Sequence, residues 1–180
     1  MEVWDVYDKY RNITGKKILK SQRASLKIGE YETVVHVGIF NSDSELLIQK
    51  RQSFKETYPN LWDITAGGHV ISGETSEEAI ERELFEELGY KYDFSSERPY
   101  FTINYEKGFD DIFIIKDDID INNLKLQYEE VQNIVWASKR EVLQLIDENK
   151  FIPYNKGFIE LLFHQNYNRG VLEWKKKTKI

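Results

Sequence analysis

The sequence predicts an α/β or α+β sandwich, and three features point to it. Strand-like segments rich in β-branched and aromatic residues alternate with amphipathic helical segments. Two of the helical segments open on S/T-x-x-E capping signals, at Thr75 with Glu78 and at Ser138 with Glu141. The chain has 180 residues, long enough to bury a sizeable core, and no internal repeat or Pro/Gly/Ser linker divides it. A single domain over residues 1–180 is expected. Residues 1–30 would form an N-terminal hairpin extension, 31–150 the core, and 151–180 a C-terminal helix with a basic tail.

Taken in order, "VWDVYDKYRNITGKKIL" reads as two short extended pieces around an Asn/Thr/Gly turn. "TVVHVGIF-NSDS-ELLIQKR" is a pair of strands joined by a turn-forming cluster. "LWDIT" looks like a short strand running into Gly67 and Gly68. A helix should follow from about Ser76 to Leu88, with Gly89 placed where a left-handed cap belongs. "RPYFTINYE", "DDIFIIKDD" and "VQNIVWA" have strand character. "SKREVLQLIDENK" and "KGFIELLFHQNY" are the last two helices.

Composition removes several function classes. Cysteine is absent, which excludes disulfides, thiolate metal sites and a cysteine nucleophile. The net charge of -6 argues against a nucleic-acid polymer as partner. No apolar run approaches the ~20 residues that span a bilayer, so no membrane partner is expected. The opening "MEVWDVYDKY" is acidic and mixed rather than basic then apolar, and a cytoplasmic location is expected. The lysines of "WKKKTKI" read as a solvated end.

The segment "GHVISGETSEEAIERELFEELGY" holds the chemistry. At 100° per residue, Glu83, Glu86 and Glu87 share one edge of the helix. Ile80, Leu84 and Leu88 form a separate apolar stripe, and Arg82 sits one turn before Glu86. On an exposed helix each like-charge pair costs only ~0.2–0.5 kcal/mol, so charge density alone decides nothing. In a cleft, two carboxylates ~4 Å apart repel by about 4 kcal/mol at an effective dielectric of ~20, and a cation or a proton becomes necessary. Hard oxygen ligands select magnesium, calcium or manganese over zinc.

From Gly68 to Tyr90 the residues read G-x5-E-x7-R-E-U-x-E-E-x-G-U, where U is a bulky apolar residue. Gly68, Glu74, Arg82, Glu83, Leu84, Glu86, Glu87 and Gly89 all match, and Tyr90 departs in being aromatic rather than aliphatic. In this the chain resembles the Nudix hydrolase superfamily, MutT-like. The resemblance implies an α/β/α sandwich with a mixed β-sheet. It implies that Glu83, Glu86, Glu87 and the Gly68 carbonyl hold Mg²⁺, with Mn²⁺ as a substitute. Arg82 would orient a glutamate, and Glu74 would tie the loop to the helix. The reaction implied is attack of water on a diphosphate in a small molecule, most simply a nucleoside diphosphate derivative, by a monomer or a homodimer.

Residues 4–146 also look like the branch related to isopentenyl-diphosphate isomerases, which creates a rival reading. Those isomerases use a cysteine and a glutamate and hold a metal with histidines. Here Gly67 stands at the cysteine position, and Glu32 replaces an upstream histidine, while His69 keeps the "GH" pair. The intact acids favour hydrolysis. They also disfavour a third reading, a nucleotide-binding module without turnover, in which they would have eroded.

Other expectations follow. Arg51 and Lys55 align with residues that grip the diphosphate in the isomerase relatives, and His69 would touch substrate or a ligand's outer partners. His36 in "VVHVGIF" is more often a satisfied sheet histidine, and His164 is structural. The general base is open between Glu83 and a carboxylate outside the motif: Asp110, Asp111, Glu129 or Glu130. Asp111 is preferred, because strand alternation points it the same way as Phe109 and Phe113. Trp62, Tyr58, Phe101 and Tyr105 could stack on a base, although core packing explains them equally well.

Overall fold

In the computed structural model, which describes residues 2–172, an antiparallel hairpin precedes a mixed sheet flanked by helices. The hairpin pairs β1 (Val3–Tyr7) with β2 (Ile13–Leu19). Its turn lies earlier than the Asn/Thr/Gly cluster suggested. The Asp8 carboxylate accepts the backbone N–H groups of Tyr10 and Asn12, and Arg11 takes a left-handed conformation (φ 63°). Thr14 and Gly15 are thereby left inside β2. The predicted basic tail falls outside the described residues.

The seven-stranded sheet is built from β3 (Glu32–Phe40), β4 (Leu46–Arg51), β5 (Trp62–Asp63), β6 (Ala66–His69), β7 (Phe101–Tyr105), β8 (Gly108–Lys116) and β9 (Val131–Ala137). Strands β3 and β8 run parallel over their whole length, whereas every other pairing is antiparallel. Between β3 and β4 the sheet forks. These strands share one pair, Phe40 with Leu46, and then part. Strand β5 continues along β4, and β6 continues along β3. Buried Thr65, between β5 and β6, spans the fork: its hydroxyl accepts from Ile39 N at 2.9 Å and donates to Leu47 O at 2.5 Å.

Helix α1 (Ser76–Leu88) has the bounds its sequence signals predict. Thr75 and Glu78 form a reciprocal capping box, and Gly89 closes the helix in the left-handed region (φ 65°). Its Ile80, Leu84 and Leu88 are fully buried against Val35, Val37 and Phe113, which places α1 on one face of the sheet. Burying each such side chain is worth ~1.5–3 kcal/mol, enough to outweigh the helix's own charge repulsion. On the other face α2 (Lys139–Asp147) and α3 (Lys156–Tyr167) cover Phe40, Leu46, Ile48, Ile112 and Ile114. A third, small cluster of Trp4, Val6, Ile18 and Leu26 seals the hairpin against Ile71.

The hairpin is also pinned to the loop that feeds α1. Ser72 N donates to Val3 O at 2.7 Å, and Gly73 N donates to the Asp5 carboxylate at 3.0 Å.

Candidate active site

Strand β6 delivers Gly68 to the flank of α1, where it meets Glu83. A Cβ on Gly68 would lie 2.1 Å from Glu83 Oε1, so glycine is what lets the carboxylate rest against this backbone. Arg82 organises the rest. Its Nε and Nη2 grip both oxygens of Glu74 at 2.7 and 2.9 Å, and Nη1 donates to Glu83 at 2.8 Å. Nη2 also donates to His69 O at 3.0 Å, and Nη1 reaches Glu86 at 3.4 Å. The guanidinium thus ties loop, strand and helix together, in a positioning role.

The carboxylates differ in environment. Glu86 is half-exposed, Glu83 is mostly covered, and Glu87 is buried. Burial raises the Glu83 carboxyl above its ordinary range, and Glu86 adds to this while Arg82 opposes it. Glu87 is pushed well up by burial and then by Glu83, with Glu130 and Asp63 adding; its hydrogen bond from Gln49 Nε2 at 2.9 Å pulls the other way. Among the described residues no three His, Asp or Glu side chains stand ready to hold an ion as placed. Arg82 Nη1 occupies the space between Glu83 and Glu86, and Glu86 is exposed enough to turn. The donor set itself is all oxygen, on one helix edge beside a backbone cradle, and it suits a hard divalent cation.

His69 stacks flat on Trp4, ring centroids 3.8 Å apart at 6°. Its Nε2 lies 3.7 Å from Glu32 Oε2, and both atoms are buried without a hydrogen-bond partner. Burial raises the Glu32 carboxyl, but His69, Arg23 and Tyr105 outweigh it and hold the group at about 2. Glu32 is therefore a committed anion, paired with Arg23 at 2.6 Å and accepting from Tyr105 at 2.8 Å.

Asp111 is placed differently from the expectation of a general base. Arg11 binds both its oxygens at 3.0 and 2.6 Å, and the hydroxyls of Ser76 and Thr102 donate to it at 2.6 and 2.5 Å. Its lone pairs are taken, and it is buried. Ser76 begins α1, and Glu83 lies seven residues on, about 10 Å along the axis. Asp110 is likewise engaged, by His36 Nδ1 at 2.8 Å. Burial would lower the His36 pKa, yet Asp110 raises it to about 9.

Arg51 donates to Thr57 O at 3.2 Å and faces Asp63 at 3.7 Å, so it braces the loop between β4 and β5. Lys55, in that loop, is ion-paired with Glu130. Sequence reasoning did not single out Arg11, Trp4, Gln49 or Asp63 as part of this region. Gln49 had only a weak signal, as a polar residue two positions from Leu47 in a strand that ends in Lys50 and Arg51. A cavity of about 290 Å³ lined by Ile48, Trp62, Val135 and Leu145 opens on the opposite face, away from the carboxylates of α1.

The Gly67 position bears on the isomerase reading. A Cβ there would fall 2.3 Å from His36 Cδ2 and 2.7 Å from Val35 O, leaving no room for a cysteine side chain in this arrangement.

Known proteins resemble the chain throughout this region. The NUDIX domain model matches residues 30–161. An uncharacterized Nudix hydrolase of Listeria monocytogenes is 43% identical over 164 residues, 91% of this chain and 95% of that protein. The isopentenyl-diphosphate Delta-isomerase of Pectobacterium atrosepticum is 29% identical over 137 residues, covering 71% of this chain and 72% of its own. A crystal structure of a Deinococcus radiodurans protein superposes with a TM-score of 0.73 at 25% identity, covering 91% of this chain and 98% of the other. The chain belongs to the Nudix family, whose hydrolases act on acid anhydrides in small phosphorus-containing substrates and generally use divalent metals. Among the described residues no helix is long and apolar enough to cross a membrane.

Proposed function

We propose that this protein is a Mg²⁺-dependent hydrolase, with Mn²⁺ as a substitute, that cleaves the diphosphate linkage of a nucleoside diphosphate derivative. The observation that carries the proposal is the pair Glu83 and Glu87. Both carboxyls are raised by burial and then by neighbouring acids, Glu83 by Glu86 and Glu87 by Glu83, on an edge opened by Gly68, and a divalent cation would relieve them. The Gly68 carbonyl with Glu83, Glu86 and Glu87 would hold it. When bound, such an ion neutralises phosphate oxygens and lowers the pKa of a water.

The chain's own residues do the rest. Arg82, locked to Glu74, keeps Glu83 on the Gly68 backbone. Glu83 is also the candidate to accept the proton of the attacking water, because Asp111 has no lone pair to offer. Arg51 ends β4, two residues after the Gln49 that bonds Glu87, and Lys55 lies in the loop that follows; both would bind the phosphates by exchanging their present partners. His69, flattened by Trp4 beside Gly68, would face the substrate's other side.

The test is a panel of nucleoside diphosphate derivatives and isoprenoid diphosphates with Mg²⁺ or Mn²⁺, read for both product identity and phosphate release. Metal-dependent diphosphate cleavage is expected, and Glu87→Gln should lower the rate by several orders of magnitude in a folded protein. Conversion of isopentenyl to dimethylallyl diphosphate without cleavage would overturn the reading in favour of the isomerase. Lack of a cysteine and the crowding at Gly67 argue against that outcome.

A further inference from the structure

Two loops meet beside the C-terminal part of α1, and they expose aromatic rings there. The loop over residues 52–61 carries Phe54, and the turn before β9 carries Tyr128; these side chains are 56% and 71% exposed. Their rings lie 5.7 Å apart at 42°. Among the described residues this is the one aromatic pair in which both partners are exposed.

The pair is held from beneath. Lys55 is ion-paired with Glu130, and Gln52 N donates to Glu130 O at 3.0 Å. Gln127 N donates to Glu87 O at 2.9 Å, so Tyr128 is one residue from a backbone contact with the buried carboxylate residue. Among the described residues the other exposed aromatic side chains stand singly, whereas these two rings are exposed together, and burying a Phe is worth ~1.5–3 kcal/mol.

We infer that Phe54 and Tyr128 form a stacking platform for the planar base of the substrate. This rests on the proposed hydrolase site and names the substrate half that the carboxylates leave open. The order in space carries the assignment. Exposed rings come first, then Lys55 on the same loop with Arg51 at the end of β4, then Glu87 of α1, which the Tyr128 turn contacts through Gln127; this matches base, phosphates and cation in a nucleoside diphosphate. An isoprenoid tail would call instead for an enclosed aliphatic slot, and the open ring pair offers none.

The experiment measures binding, so that it does not depend on turnover. ADP, GDP, CDP and UDP, with inorganic pyrophosphate as the base-free control, are titrated with Mg²⁺ into the wild type, Phe54→Ala, Tyr128→Ala and Phe54→Trp. Base–aromatic stacking of ~1–3 kcal/mol predicts a roughly 5- to 150-fold loss of nucleotide affinity in the alanine variants. Pyrophosphate affinity should not change, Phe54→Trp should keep wild-type nucleotide affinity or better, and bound base protons should show an upfield ring-current shift in NMR spectra. The platform is refuted if none of the four nucleotides binds, if the alanine variants bind them as the wild type does, or if pyrophosphate affinity falls in parallel. Absence of turnover with the stacking result intact would sink the hydrolase reading alone.

Discussion

Arg11 and Asp111 are a hundred positions apart in sequence, and they form a two-point ion pair, Nη1 to Oδ1 at 3.0 Å and Nη2 to Oδ2 at 2.6 Å. Through Ser76, which donates to the same carboxylate, the pair locks the hairpin turn to the first residue of α1. Burial raises the Asp111 carboxyl, but Arg11, Ser76 and Thr102 outweigh it and the pKa ends below its ordinary value. Asp111→Asn should therefore act on folding: with Arg11 partly in solvent, losing the charged hydrogen bonds costs about 1–3 kcal/mol, read as a lower urea midpoint. The rate per folded molecule should fall by less than tenfold, whereas loss of a general base costs ~10²–10⁴-fold. A large rate loss without destabilisation would return Asp111 to the chemistry.

Arg82→Lys keeps the charge and loses the fork that grips Glu74. Removing such an orienting group costs about 10- to 100-fold in metal affinity or rate. Isothermal titration with Mn²⁺ and steady-state rates should both show it. Full activity in the lysine variant would mean that charge, not geometry, is what Glu83 needs.

Gly68→Ala places a methyl where Glu83 Oε1 now lies, 2.1 Å away. Glu83 must turn off the backbone, so divalent-metal affinity should drop by tenfold or more, on the order of 1.4 kcal/mol, with little change in thermal midpoint. Gly67→Cys is the companion test. It should destabilise the protein by displacing His36, and it should create no isomerase.

His36 sets a stability limit at high pH. Its folded pKa is raised to about 9 from 6.5 by Asp110, against the opposing effect of burial. The stabilisation is thus complete below the unfolded value and fades as pH rises through about 9. Urea midpoints should fall between about pH 6 and about pH 10, and His36→Gln should flatten that decline. An equal decline in the variant would assign it to other groups.

Helix α1 was legible in the sequence because its information is local. The cap, the apolar stripe and the closing glycine all lie within fifteen residues. The fork was not legible, because it depends on where Trp62–Asp63 and Ala66–His69 find partners on two different strands. Alternation along β8 placed Asp111 on the correct face, among aromatics, yet said nothing of a guanidinium arriving from the hairpin. The turn at residues 8–12 was misplaced for a related reason. Asp8 and the left-handed Arg11 outcompete the Asn/Thr/Gly cluster, and Arg11 is held by a contact invisible to its neighbours in sequence.

Thr65 sits where two strands separate, and a single oxygen serves both of them. Its hydroxyl fixes where the double-glycine strand leaves the fork, and with it the backbone on which Glu83 is seated. Alignment of the proposed site is thus inherited from a joint deep in the sheet, away from the acids themselves.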